Sequence, residues 1–261
     1  MNTDYTVIYN TCDKYESLWK GFFSLFKKYW PTYSNIIIIN TEKKKYSFPG
    51  LRLIRPNKSG IGVSWSQRLI NSLDTVTTPY VITILDDFWL KSLVNEKEIQ
   101  KCVRRMNKDK SIKCYTFAWQ PGPNKPDLLQ KNYEVRGRFA KYRVNAQIAL
   151  WRVDYLKKIL RSYESPWQFE LSGSFRSSIY GGRIMSLKKH APLVFDYDFG
   201  FLIIRGKINK NVAKYFSDNE GIDMNLPFEN YEENSKDIKT TPKILRMTNY
   251  LFDMIISLVR K

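Results

Sequence analysis

The chain is poor in the residues that most often bind metals or cross-link a fold: of 261 residues, one is histidine and three are cysteine. The histidine, His190, stands in Lys188-Lys189-His190, which reads as a solvated basic turn rather than a metal ligand. Cys12, Cys102 and Cys114 have neither metal-ligand spacing nor an even count, so no disulfide framework is indicated and a reducing compartment fits best. No apolar stretch reaches the roughly 18 residues that a membrane-spanning helix requires. The opening Met1-Asn2-Thr3-Asp4 shows no basic and apolar leader pattern, and the expected location is cytoplasmic. Internal repeats and low-complexity tracts are also lacking.

Positive charge and aromatic residues are plentiful. Lys and Arg total 43 against 25 Asp and Glu, a net charge of +18. Such a surface attracts polyanions, whether nucleic acid, anionic lipid headgroups or phosphorylated substrates, and charge alone does not choose among them. Hydrophobic residues at 43% and aromatics at 15% supply a packed core.

Along the chain, Thr6–Asn10 reads as a first strand. Leu18, Trp19, Phe22, Phe23, Leu25 and Phe26 then recur at helical spacing up to Pro31. Ile36–Asn40 is a continuous apolar run, as a strand buried on both faces requires, and Leu51–Ile54 is a short third strand. After the turn Lys58–Gly62 comes a helix over Trp65–Leu73, and then the strand Tyr80–Leu85. The order β-α-β-β-α-β predicts a mostly parallel sheet flanked by helices. A helix over Glu96–Met106, strands at Cys114–Trp119 and Ala146–Arg152, a helix over Val153–Ser162 and a strand at Leu193–Tyr197 continue the pattern. Residues 121–126 read as a proline-broken loop. One domain over 1–207 with an extension over 208–261 is the simplest division.

The strand Tyr80–Leu85 runs directly into Asp86-Asp87-Phe88. Two adjacent acids at the carboxyl end of a buried strand repel unless water or a shared cation relieves them, and open α/β sheets bind ligands at that edge. A divalent metal carrying a diphosphate fits there; a polar strand-to-loop turn is the plainer alternative. Asp13, just past the first strand, can accept hydrogen bonds from a base or ribose, or can cap a helix. Ser64 or Ser66 can cap the helix in which Arg68 occupies the first turn, and a helix N-terminus beside an arginine suits a diphosphate. Ser165-Pro166-Trp167-Gln168-Phe169-Glu170 reads as a proline-fixed loop. In it Trp167 offers a face to a sugar ring, and Glu170, between aromatics, is a general base if desolvated or an exposed acid if not. Residues 243–261 form a broadly apolar helix with the polar stripe Arg246, Asn249, Asp253, Ser257 and Arg260, destined for the domain's own core or for an anionic membrane surface.

These motifs, in the order Asp13, Ser64-Trp65-Ser66-Gln67-Arg68-Leu69, Leu85-Asp86-Asp87-Phe88, Asn145-Ala146-Gln147-Ile148-Ala149-Leu150-Trp151 and Ser165–Glu170, resemble the bacterial GT-A glycosyltransferases of surface-polysaccharide biosynthesis (lipopolysaccharide O-antigen or capsule) over roughly residues 5–207. The resemblance implies an α/β, Rossmann-like GT-A fold with a C-terminal amphipathic helical appendage. It implies that Asp13, Ser66, Arg68, Asp86, Asn145, Gln147 and Trp167 bind the nucleotide and donor sugar, that Asp87 and Asp86 hold Mn²⁺ or Mg²⁺, and that Glu170 is the catalytic base of an inverting transfer. The donor is then a nucleoside-diphosphate sugar, a UDP-sugar by default, and the acceptor a saccharide or lipid-linked hydroxyl at the inner face of the plasma membrane. The adjacent acids depart from a strict Asp-x-Asp and leave open which one meets the metal. A basic nucleic-acid-binding protein is the competing class, but neither a recognition helix nor an RNP-like strand stands out, and no nucleic-acid partner is expected.

Overall fold

The β-branched runs seen in the sequence become the centre of the molecule. The structure, a computed structural model, describes residues 4–56, 60, 62–197, 201–232, 254, 257 and 258. β1 (Tyr5–Asn10), β2 (Ile36–Asn40), β3 (Arg52–Ile54) and β4 (Tyr80–Leu85) pair in parallel in the order β3-β2-β1-β4. The sheet continues through β8 (Ala149–Arg152), β5 (Ile112–Trp119), β9 (Arg183–Leu187), β7 (Tyr133–Arg136) and β6 (Asn124–Pro126), nine strands in all. β8 and β7 oppose the direction of the others, so the sheet is mixed but mostly parallel, as expected.

Side chains alternate across the pleat. Tyr5, Val7 and Tyr9 of β1, with Tyr80, Ile82 and Ile84 of β4, join the cluster that holds Leu18, Trp19, Phe22, Phe23 and Phe26 of α1 (Glu16–Tyr29). Ile8 and Val81 point the other way, toward Leu69 and Leu73 of α2 (Trp65–Asp74) and Leu156 of α4 (Val153–Ile159). Both faces are covered, which is why the central strands are apolar along most of their length. α3 (Glu96–Lys108) lies on the α1 side through Ile99, Cys102, Val103 and Met106.

Three expectations are corrected. Residues 121–126 are not all loop: Asn124–Pro126 form β6, paired antiparallel with β7, and Pro126 sits on the edge strand, where a missing N–H is tolerated. Leu193–Tyr197 is not a strand of the sheet. It lies beside residues 90–95, meeting them through Lys91 N–H to Asp196 O (2.8 Å), Asn95 N–H to Val194 O (3.0 Å) and one bridge between Leu90 and Tyr197. Ser165–Glu170 is not a loop but a helix start. Ser165 caps α5 (Pro166–Gln168) in a reciprocal capping box with Gln168, and a π-helical turn over Phe169–Gly173 leads into α6 (Ser174–Tyr180).

The remaining described elements are a small hairpin, β10 (Ile203–Ile204) with β11 (Lys207–Ile208), and α7 (Lys210–Glu220), whose Phe216 packs edge-on to Trp89 at 5.2 Å. The helix expected over 243–261 lies outside the described residues apart from Met254, Ser257 and Leu258. Ser257 is buried, and its carbonyl accepts from Arg161 Nε at 2.8 Å. Among the described residues no helix is long and apolar enough to cross a membrane.

Candidate active site

In the strand order, β1 is flanked by β2 on one side and β4 on the other, so successive connections leave β1 in opposite directions. Open α/β sheets bind ligands in the crevice beyond such a switch point. A cavity of about 440 Å³ lies there, lined by Asn10, Thr11 and Cys12 after β1, by Leu85, Asp86 and Asp87 after β4, and by Trp65 and Arg68 of α2. Pro166, Trp167 and Glu170, from the α5 start and the π turn, close a second side. Tyr15, Ala146, Ile203, Arg205 and Gly206 complete the wall. Acids, arginine, tryptophan and glutamate that lie far apart in sequence thus share one enclosure.

Asp86 and Asp87 sit half-buried on this wall. Burial raises the Asp86 carboxyl to about 7; a hydrogen bond from Thr11 Oγ1 to Asp86 Oδ2 (2.7 Å) opposes the rise, and the nearby Glu42 charge adds to it. Asp87 is raised as well, first by burial and then by the charge of Asp86. The pair is anchored from below. Trp89 Nε1 donates to the Asp86 carbonyl at 3.0 Å, and Trp19 Nε1 donates at 2.8 Å to the Thr11 hydroxyl that serves Asp86. Two such carboxylates offer hard oxygen donors. They suit Mn²⁺ or Mg²⁺, which use one or two protein carboxylates and complete their shell with phosphate oxygens and water. Among the described residues no group of three His, Cys, Asp or Glu side chains gathers that would hold a metal unaided. The thiol of Cys12 is pushed up to about 11 by burial and stays protonated at neutral pH, which makes it a poor ligand or nucleophile.

Arg68 is buried and oriented by three partners. Its Nη1 pairs with Glu42 Oε1 at 2.6 Å and reaches Val63 O at 3.3 Å, while Nη2 approaches Thr11 O at 3.4 Å. Its Nε is buried without a hydrogen-bond partner among the described residues. The helix that carries it is capped by Ser64, which accepts from Gln67 N–H at 2.9 Å. Glu170 Oε1 accepts from Ala146 N–H at 2.9 Å, and burial raises its carboxyl above the ordinary 4.5. One face of this carboxylate is thereby fixed while the residue still lines the cavity. Trp167 stands at the rim, 75% exposed.

The remaining sequence-predicted residues do not line this cavity. Asp13 neither caps a helix nor reaches the enclosure: its carboxylate accepts from the backbone N–H groups of Glu42, Lys43 and Lys44 at 3.0–3.2 Å and pins the turn after β2. Ser66 is buried, with its N–H on Glu164 O. Gln147 accepts from Tyr197 Oη at 2.6 Å. Asn145 lines a narrow cleft that shares Asn10, Trp65, Leu85 and Ala146 with the main cavity, and its Nδ2 is buried without a partner among the described residues.

Sequence reasoning missed Glu42, which links Arg68, the Asp13 N–H and the field at Asp86. It also missed Arg205. With φ of 52° at Arg205 and 78° at Gly206, the β10–β11 hairpin turns through two left-handed residues and presents an exposed cation at the cavity wall. The glycine makes the second of these conformations inexpensive.

No family model and no curated protein matches the chain. Among solved structures, S. aureus TarS 1–349 in complex with UDP matches at 11% identity and a TM-score of 0.50 over 72% of this chain and 59% of that one. The complex of the same protein with UDP-GlcNAc matches at 12% identity and 0.48, over 72% and 57% of the two chains. Glucosyl-3-phosphoglycerate synthase from Mycobacterium tuberculosis in complex with Mn²⁺ and UDP-glucose matches at 11% identity and 0.47, over 74% and 71%. The chain therefore spans somewhat over half of the TarS structure it matches, and at these identities the likeness is one of fold: a mixed α/β architecture with a large, mostly parallel sheet flanked by helices.

Proposed function

We propose that this chain is a metal-dependent glycosyltransferase that moves a sugar from a nucleoside-diphosphate sugar to a hydroxyl of a saccharide or lipid-linked acceptor. One observation carries the reading: Asp86, Asp87, Arg68 and Glu170 line a single cavity at the switch point of the sheet. That TarS and glucosyl-3-phosphoglycerate synthase are described with UDP or UDP-sugars supports a UDP-sugar donor, and Mn²⁺ beside UDP-glucose in the latter supports a divalent metal.

In this reading Asp86 and Asp87 hold Mn²⁺ or Mg²⁺, which supplies charge neutralisation of the donor diphosphate. Arg68 and Arg205 add positive charge on the same leaving group. Tyr15 and Trp167 offer ring faces to base and sugar. Glu170 takes the proton of the acceptor hydroxyl. The oxygen forms a bond to the anomeric carbon as the bond to the diphosphate breaks, and the configuration inverts. Asp13 and Ser66 act on the donor only indirectly, Asp13 by holding the turn that carries Glu42. The +18 charge is compatible with work beside an anionic surface or acceptor, and the sequence resemblance supports a role in surface-polysaccharide synthesis at the inner membrane face.

The test is thermal-shift screening against nucleoside-diphosphate sugars with Mn²⁺. A donor at about 100 times its dissociation constant stabilises the fold by about 2.7 kcal/mol, a rise of several degrees. No rise with any such donor, with or without metal, overturns the proposal.

A further inference from the structure

A second groove opens on the same edge of the sheet as the candidate donor cavity, and nothing in the reaction just described uses it. It encloses about 550 Å³ and is lined by Trp119, Lys131, Asn132, Glu134, Lys188, Lys189, His190, Ala191 and Pro192. Topology places it. Trp119 ends β5 and is paired with Leu187, the last residue of β9, while Tyr133, the first residue of β7, lies across from Leu187. β5 and β9 run in the direction of β4, so their carboxyl ends lie on the edge that carries Asp86 and Asp87. From β4 to β9 the order is β4-β8-β5-β9. Three steps of about 4.8 Å set the groove roughly 14 Å from the aspartates, a span that a short glycan covers.

The chemistry of the lining is specific. Trp119 is 40% exposed, which is unusual for the largest apolar side chain at the end of a buried strand. Lys189 Nζ lies over its ring at 5.4 Å, so ring face and ammonium form one mixed surface. Lys131 and Lys189 are exposed, and neither they nor Lys188 pair with a carboxylate among the described residues. Glu134 is the single acid, and its Oε1 is held by Asn124 Nδ2 at 3.1 Å. A ring face beside three unpaired ammonium groups recognises a sugar that carries a negative charge: the ring takes the sugar's C–H face, and the lysines take its anion through charge-assisted hydrogen bonds.

We infer that this groove is the acceptor subsite and that the acceptor is an anionic glycan, bearing carboxylate or phosphate, with its charged unit on Trp119, Lys188 and Lys189 and its reacting hydroxyl toward Glu170. The inference rests on the transferase reading for its direction of travel, but the groove's ligand chemistry is testable without it. A continuous single-stranded nucleic acid fits less well, because such sites stack successive bases on several aromatics and this groove offers one.

The probe is tetragalacturonate, which carries a carboxylate on every ring, compared with its fully methyl-esterified form by calorimetry on the full chain. Binding of the charged form at least tenfold tighter is expected. Trp119→Ala and the double change Lys188→Ala/Lys189→Ala each weaken it about tenfold with unchanged melting temperature, while Trp119→Phe retains most of it. Asp87→Asn, in the other cavity, binds the tetramer like the unaltered protein. Equal affinity for the two forms, or full affinity in the folded Trp119→Ala and double-lysine proteins, overturns the inference. So does tighter binding of an octathymidylate strand or of phosphatidylglycerol vesicles. Failure of the transferase reading shows separately: tetramer binding without any metal-dependent shift by a donor removes the transfer reaction and leaves a glycan-binding groove.

Discussion

Replacing Asp86 with asparagine should stabilise the metal-free protein at alkaline pH and weaken the metal- and donor-loaded one. The Asp86 carboxyl is raised from the ordinary 3.8 to about 7, chiefly by burial. At 1.36 kcal/mol per tenfold change in proton affinity, this corresponds to roughly 4 kcal/mol at full burial. Asp86 is half-buried on a cavity wall, and cavity water screens it, so about 1–2 kcal/mol is expected. The sign follows from linkage. The folded state binds the proton more tightly than the unfolded state, so this destabilisation is absent below pH 4, grows as pH rises and is complete above about pH 7. Asparagine keeps an oxygen that can accept from Thr11 Oγ1 but carries no charge. In chelator-treated protein at pH 8, Asp86→Asn should therefore melt about 2–8 °C higher, taking 2–4 °C per kcal/mol for a chain of this size; at pH 4.5 the difference should be clearly smaller. With Mn²⁺ and a donor the order should reverse if Asp86 helps to hold the cation, because a carboxylate binds it more tightly than an amide oxygen does. Scanning fluorimetry across pH, with and without Mn²⁺, reads all of this. A loss of stability that is the same at pH 4.5 and pH 8 would refute the reasoning and assign Asp86 to the fold.

Glu170→Gln should lower transfer at least 100-fold, the lower bound for loss of a general base, with donor affinity within about threefold; turnover within a factor of a few of the unaltered enzyme removes Glu170 as base. Because burial raises the Glu170 carboxyl, the acid limb of the rate profile should lie above the 4.5 of an ordinary glutamate, with activity rising as pH rises through it. Arg176→Met removes the ion-pair partner of Glu164, at 2.6 Å with both side chains buried, and leaves it only the field of Arg161; a loss of about 3–5 kcal/mol is expected in denaturant titration, and most of it should return in Arg176→Met/Glu164→Leu. Gly21→Ala drives a Cβ into the Trp89 ring at Cη2. Overpacking of this kind costs about 1–3 kcal/mol, and because Trp89 Nε1 holds the Asp86 carbonyl, a higher Mn²⁺ requirement should accompany it.

The fold was legible in the sequence wherever local pattern and tertiary burial agree. β1, β2 and β4 are runs rich in β-branched residues and tyrosine because both faces of the sheet are covered, and α1 shows its buried face as an aromatic stripe. β6 and β7 were not legible, because their pairing depends on β9 rather than on their own proline-bearing sequence. The apolar run at 193–197 misled for a related reason: its Val194 and Phe195 are buried as a strand's would be, but its backbone meets residues 90–95 instead of the sheet. The helix at 166–180 did carry a signal, the Ser-Pro-x-Gln capping box with proline at the first helical position.

The candidate site divides the same way. Asp86, Asp87, Arg68, Trp167 and Glu170 meet in one cavity. Asp13 does not, because three backbone N–H groups after β2 already occupy its carboxylate. Glu42 was hidden in the polar run Thr41-Glu42-Lys43-Lys44, which has no pattern of its own; only the pairing of β2 beside β1 brings that residue to Arg68.

The most direct measurement of the central claim is calorimetric titration of a UDP-sugar into the unaltered protein and into Asp87→Asn, each with Mn²⁺ and with chelator. The account predicts binding to the unaltered protein that needs Mn²⁺ and falls at least tenfold in Asp87→Asn. Donor binding that is equally tight in all four conditions would contradict it, because the paired aspartates would then have no part in holding the diphosphate.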